Sequence, residues 1–150
     1  MNEMDIDKFE AFEENYRSAK MYHFRAKQFL DEGQHFSVVF NVASVALENY
    51  LIALCWLYKV EPGNHNYTCL MDSLEEGVQI SPALNREIRS MDSIFGICSL
   101  DNYYHGMPEQ TDMNLVLAIC NAVQKLFDPA KISAIRSDIE KYKDAFASKD

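Results

Sequence analysis

The feature that most constrains this chain is the run over residues 38–58, which is apolar apart from Asn41, Ser44, Glu48 and Asn49. It is about as long as a bilayer span, but a carboxylate at mid-span is costly in lipid. A helix that is apolar on most sides must instead be surrounded by other protein elements. The run is therefore expected to form the central helix of a soluble bundle, with no membrane partner. The rest of the chain has to supply its neighbours.

The flanking sequence has the right spacing to do so. Phe9, Phe12, Tyr16, Ala19, His23, Ala26 and Leu30 recur three and four residues apart, on one face of a helix that Gly33 ends. The central helix is expected over 36–59, stopped by Pro62 and Gly63. A short helix follows over 66–76, closed by Gly77. Ser81-Pro82 then supplies an N-cap and a first-turn proline, ahead of the stripe Leu84, Ile88, Met91, Phe95 and Cys98. Residues 99–111, with Gly106 and Pro108, form the main irregular loop. Thr111 or Asp112 is expected to cap the next helix, with Val116, Ile119, Val123 and Leu126 inward. Asp128-Pro129 opens the last one, which carries Ile132, Ile135, Ile139, Tyr142 and Phe146.

The expected fold is all-α: an antiparallel up-and-down four-helix bundle with an extra short helix and a C-terminal helix. No repeat or linker divides the chain, so one domain is expected over 1–150. Phe36, Tyr50, Trp56 and Tyr58 lie around the central helix, more apolar surface than one such bundle needs. A symmetric homodimer packed through helix surfaces is the expectation.

Composition narrows the function classes. With 48% hydrophobic residues among 150, a core can form without metals or disulfides. Five Gly and four Pro are too few for a turn-rich β-sandwich. The net charge of −9 offers no basic footprint for phosphates, so nucleic acid is not the expected partner. The most basic stretch, 131–143, is interleaved with Asp138 and Glu140 and reads as a solvated helix face. Cys55, Cys69, Cys98 and Cys120 form no close pairs, which suits buried free thiols in the reducing cytoplasm. The acidic, polar first ten residues do not resemble a signal peptide.

Few residues suggest chemistry. His23 lies on an apolar stripe and is expected as a packed histidine holding one hydrogen bond. His65 and Cys69 stand four apart, but two ligands do not close a metal site and no metal is expected. Glu48, in the middle of the most apolar helix, either faces a partner or cleft or points outward beside Asn49. The densest functional group is the loop segment Asp101, Asn102, Tyr103, Tyr104 and His105. It is either a ligand-binding loop on a rigid scaffold or a structural loop whose tyrosines pin two helices. The chain contains no GxGxxG, GxxxxGK[ST] or GxSxG pattern, so the common nucleotide loops and the hydrolase elbow are excluded and no cofactor is expected.

Three stretches carry a family resemblance. Over 16–54, Ala19, Ala26, Leu30 and Gly33 lead into Ala46-Leu47-Glu48 and Leu51-Ile52-Ala53-Leu54. Over 63–74, His65, Tyr67, Leu70 and Leu74 mark a short helix opening with histidine. The third stretch is Leu100-Asp101-Asn102-Tyr103-Tyr104. In order and spacing they resemble the HEPN family, the small helical "higher eukaryote and prokaryote nucleotide-binding" domains, over residues 9–127. The resemblance implies a helical module that dimerises and binds a small ligand, a nucleotide among them, or a protein partner. Glu48, His65, Asp101, Tyr103, Tyr104 and His105 are the candidate ligand-binding residues.

The chain departs from the family where catalysis is concerned. After Tyr104 it reads His105-Gly106-Met107-Pro108, so the arginine of the family's Arg-Tyr-Pro is absent. Ribonuclease members use an Arg followed four to six residues later by a His, and the pair at that spacing here is Arg17 and His23. Six residues turn a helix through about 600°, which sends these two side chains to different faces. The nuclease site is not carried over, and a non-catalytic module is the expected function. The competing reading is a metal-independent, toxin-like ribonuclease of the HEPN type with His105 as general base. Family habit adds a third, a helper subunit for a nucleotidyltransferase of a toxin–antitoxin pair.

Overall fold

Asn2 starts the first helix because its side chain accepts from the Asp5 amide at 2.9 Å, while the Asp5 carboxylate accepts from the Asn2 amide at 3.2 Å. This reciprocal pairing satisfies two amide groups that the first turn leaves without partners. The structure, a computed structural model, describes residues 1–95 and 108–147. Helices are the regular structure among them: α1 (Glu3–Asp31), α2 (Phe36–Leu57), α3 (Tyr67–Leu74), α4 (Pro82–Phe95), α5 (Gln110–Gln124) and α6 (Pro129–Ala147). The chain is all-helical over these residues.

The helix ends obey local chemistry, with two departures from the sequence expectations. At the end of α1, Gln34 N donates to Phe29 O and Gly33 N to Leu30 O, with Gly33 at φ +77°. That is the Schellman closure, and glycine suits its left-handed residue. α2 ends the same way, but with Lys59 at φ 59° in the glycine position. Val60 N donates to Cys55 O at 2.8 Å there, so the helix stops at Leu57, short of the Pro62-Gly63 signal. α5 starts two or three residues earlier than expected. Its N-cap is Glu109, and Asp112, expected as a cap itself, accepts from the Glu109 amide at 2.7 Å. Ser81 and Asp128 cap as expected, accepting from Leu84 N and Ala130 N.

Register contacts set the directions. Asp5 meets Lys59 and His23 meets Tyr50, so α1 and α2 run in opposite senses. Cys120 Sγ reaches Ala43 O at 3.4 Å and Phe127 packs on Tyr50, a constant offset that makes α5 parallel to α2. Asp92 meets Tyr67 while Asn85 meets Glu75, so α4 runs back along α3. α6 crosses the start of α1 and the end of α2. Arg136 pairs with Glu13 at 3.1 Å, and the Lys131 ammonium sits 4.7 Å from the Tyr58 ring centroid.

The core is centred on α2. Thirteen of its residues are buried, and it is the helix, among the described residues, that is long and apolar enough to cross a membrane. Phe12, Tyr16, Tyr50 and Phe127 form an aromatic cluster from three segments, with Tyr16 and Phe127 stacked at 4.5 Å. The stripes of α1, α5 and α6, and that of α4 over Leu84, Ile88 and Met91, face this core, except that Leu30 and Phe146 are exposed. The expected surplus of apolar surface sits elsewhere than anticipated. Tyr50 is fully buried, and Phe36, Trp56 and Tyr58 pack against the core. Met21, Phe24, Leu30, Val38 and Val45 are the exposed large apolar side chains of α1 and α2 in the half of the hairpin nearer its turn.

Candidate functional site

The region around the start of α3 is built from a buried carboxylate. Asp92, 1% exposed on α4, accepts from Tyr67 N at 3.0 Å and from Thr68 N at 2.7 Å. These are amides of the first turn of α3, which have no partners inside their own helix. Asn66 caps the same turn by accepting from Cys69 N at 2.8 Å. Tyr67 then points into the core and its hydroxyl donates to Ser44 O of α2 at 2.8 Å. Burial, with the Glu48 carboxylate nearby, pushes the Tyr67 phenol well above its ordinary value, so it stays protonated.

This anchoring brings two of the candidate residues together. Glu48 on α2 and His65, two residues before α3, face each other with Oε1 and Nδ1 3.9 Å apart. Their side chains are 35% and 58% exposed. Of the two expectations for Glu48, the structure supports a partner: it looks toward His65 at the surface. Its neighbour Asn49 bonds back to Val45 O of its own helix at 2.9 Å. Asp101, Tyr103, Tyr104 and His105 lie outside the described residues, as does Cys98.

Other sequence candidates have structural roles. His23 is 3% exposed, and its Nδ1 lies 2.8 Å from the Tyr50 hydroxyl, the single hydrogen bond expected of a packed histidine. Its Nε2 is buried without a hydrogen-bond partner. Burial first, and then the Lys27 ammonium, hold its pKa below the ordinary value, with Asn121 acting the other way. Arg17 is exposed, so the Arg17–His23 pair does not converge. Burial pushes the Cys55 and Cys120 thiols up to about 12, leaving them protonated and inert. Cys69 is half-buried. No group of three or more His, Cys, Asp or Glu side chains is placed to hold a metal among the described residues.

Sequence reasoning missed Asp92 and the arginine beside it. Arg89 pairs with Asp72 at 2.8 Å and Glu75 at 3.0 Å, and its Nε donates to Asn85 at 2.6 Å, tying α4 to α3. A signal for Asp92 was present: it follows buried Ile88 by one turn, on the inward stripe of α4, where a carboxylate needs donors. Arg89 is committed to this network. The surface around Glu48 and His65 therefore offers hydrogen-bonding groups on an apolar scaffold, beside a helix start whose amides already meet Asp92.

Comparison with protein-family models, with curated proteins and with solved structures gives no match for this chain.

Proposed function

We propose that the chain is a non-catalytic helical module of the HEPN type that self-associates and binds a small ligand, a nucleotide in the first instance. The observation that carries this reading is the meeting of Glu48 and His65. Two polar side chains, one from α2 and one from the segment before α3, converge at the surface, neither buried nor locked in a close ion pair. Convergent polar groups carried on an apolar scaffold are what orients a small ligand.

The architecture that goes with this reading is the antiparallel up-and-down four-helix bundle of α1, α2, α4 and α5, with α3 as the extra short helix and α6 as the C-terminal one. The alternating helix directions support it. So do the left-handed Gly33 turn before Ala46-Leu47-Glu48 and the short helix opening after His65, both in the places the resemblance implies. A cytoplasmic setting, with a nucleotidyltransferase as possible protein partner, belongs to the same reading. The buried thiols and the charge of −9 suit it.

The test is an NMR titration of the full chain with ATP and AMP, alongside incubation with single-stranded RNA. Saturable shifts at Glu48 and His65 that vanish in Glu48→Ala, with the RNA left intact, are expected. Absence of any shift at millimolar nucleotide removes the ligand reading. RNA cleavage lost in His105→Ala establishes the ribonuclease in its place.

A further inference from the structure

α2 presents a second pattern besides its buried one. Val38, Val42, Val45 and Asn49 follow each other at intervals of four, three and four residues. Val38 and Val45 are 39% and 38% exposed, and the other two are half-buried. Valine is a mediocre helix former, so a stripe of it on an open helix face is not explained by helix propensity. The outward face of α1 is charged in its first half, with Glu10, Glu14 and Arg17, and apolar further on, at Met21 and Phe24. Apolar residues at this spacing form the seam through which one helix packs on another, and a single Asn within such a seam fixes its register.

The stripe continues onto α1. A groove of about 330 Å³ runs between Val42 and the α1 residues Met21, Tyr22, Arg25 and Phe29. Arg25 lies over the Phe29 ring, 6.0 Å from its centroid, on this flank of the stripe. Glu48 lies on the opposite flank, since six residues from Val42 turn the helix through about 600°. The two flanks thus carry opposite charges.

Charge points to the occupant. The chain carries −9, yet α2 contains a single charged residue, Glu48. Two copies repel each other over most of their surface and least through this face. A two-fold axis parallel to α2 brings the Arg25 flank of each copy against the Glu48 flank of the other, and Asn49 opposite Asn49. We infer that the Val38–Val42–Val45–Asn49 stripe and its α1 groove form the docking surface for a second copy of this chain, closed by reciprocal Arg25–Glu48 pairs. This deepens the self-association half of the reading above; Glu48 serves both halves, and the valine variants, which leave Glu48 and His65 in place, separate them.

Light scattering on the full chain at about 100 µM tests it, together with Val45→Glu, Val38→Lys, Arg25→Glu, Glu48→Arg and the Arg25→Glu/Glu48→Arg double variant. The wild type is expected at twice its 17.3 kDa. Either valine variant is expected as a monomer with unchanged helical circular dichroism, because both sites are open to solvent. Each single charge reversal weakens the dimer at least tenfold, and the double restores it. Met4→Glu, at the far end of the hairpin, leaves it unchanged. A monomeric wild type, a folded Val45→Glu or Val38→Lys dimer, or a double variant as weak as its singles overturns the inference. Nucleotide titration of the monomeric variants keeps failure of the dimer separate from failure of the ligand site.

Discussion

At the residue scale, His23 is the side chain whose environment is least forgiving. It sits against Tyr50 in the core, with one ring nitrogen bonded and the other without a partner. Protonation would place a charge among apolar side chains and near Lys27, and burial accordingly lowers its pKa from 6.5. The unfolded chain, with an ordinary imidazole, binds a proton at a pH where the native state does not. Stability contributed by this residue is therefore complete above about pH 6.5 and is lost as pH falls below it toward the lowered native value. Thermal denaturation between about pH 7.5 and 5 is expected to show a falling midpoint in the wild type. His23→Gln, which keeps a partner for Tyr50 but does not titrate, should give a flatter profile. Equal slopes in the two proteins would sink this assignment. The role of His23 was legible in the sequence because it fell within an apolar stripe. Its bond to Tyr50 was not, because a contact across 27 positions has no local signature.

At the scale of elements, α3 is the informative one. Eight residues are too few to hold a helix in water alone, so its partners must. Asp92 supplies two hydrogen bonds at its first turn, Arg89 grips Asp72 and Glu75 beyond it, and Tyr67 anchors it to α2. Removing the Asp92 carboxylate leaves buried amide donors unpaired. Asp92→Ala is expected to cost about 2–4 kcal/mol in denaturant unfolding, and Asp92→Asn less, because its amide oxygen still accepts. A loss below about 0.5 kcal/mol for the alanine variant would show that the first turn holds itself. The six elements were readable from periodicity and punctuation, since a helix needs only local spacing, caps and breakers. The ends that were misplaced, Lys59 and Glu109, are those where the residue in the decisive backbone position is an unusual choice for it. Of the candidate residues, Glu48 and His65 lie within the described structure. Glu48 and His65 stood out individually as polar residues at notable positions, whereas their approach depends on a carboxylate contributed by α4.

At the scale of the whole molecule, the connection between α1 and α2 has a consequence for how the chain reaches its native state. The two longest helices are neighbours in sequence, joined by a four-residue closed turn, and they share the largest interface of the fold. Closing so short a loop carries little entropic penalty, and the contacts it brings together are local in sequence. α5, by comparison, must return to Ala43 and Tyr50 from about 77 positions away. The α1–α2 hairpin is therefore the natural folding nucleus, and α5 and α6 condense on it afterwards. Substitutions should divide along the same line. Ala46→Gly, buried within the hairpin, is expected to slow refolding, and Ile139→Val on α6 to accelerate unfolding while leaving the refolding rate almost untouched. Stopped-flow chevrons of the two variants would reveal the reverse pattern if the chain instead assembled from its C-terminal helices. A chain that commits early to this hairpin hides its most membrane-like, aggregation-prone segment within the first event of folding, before the slower long-range contacts have formed.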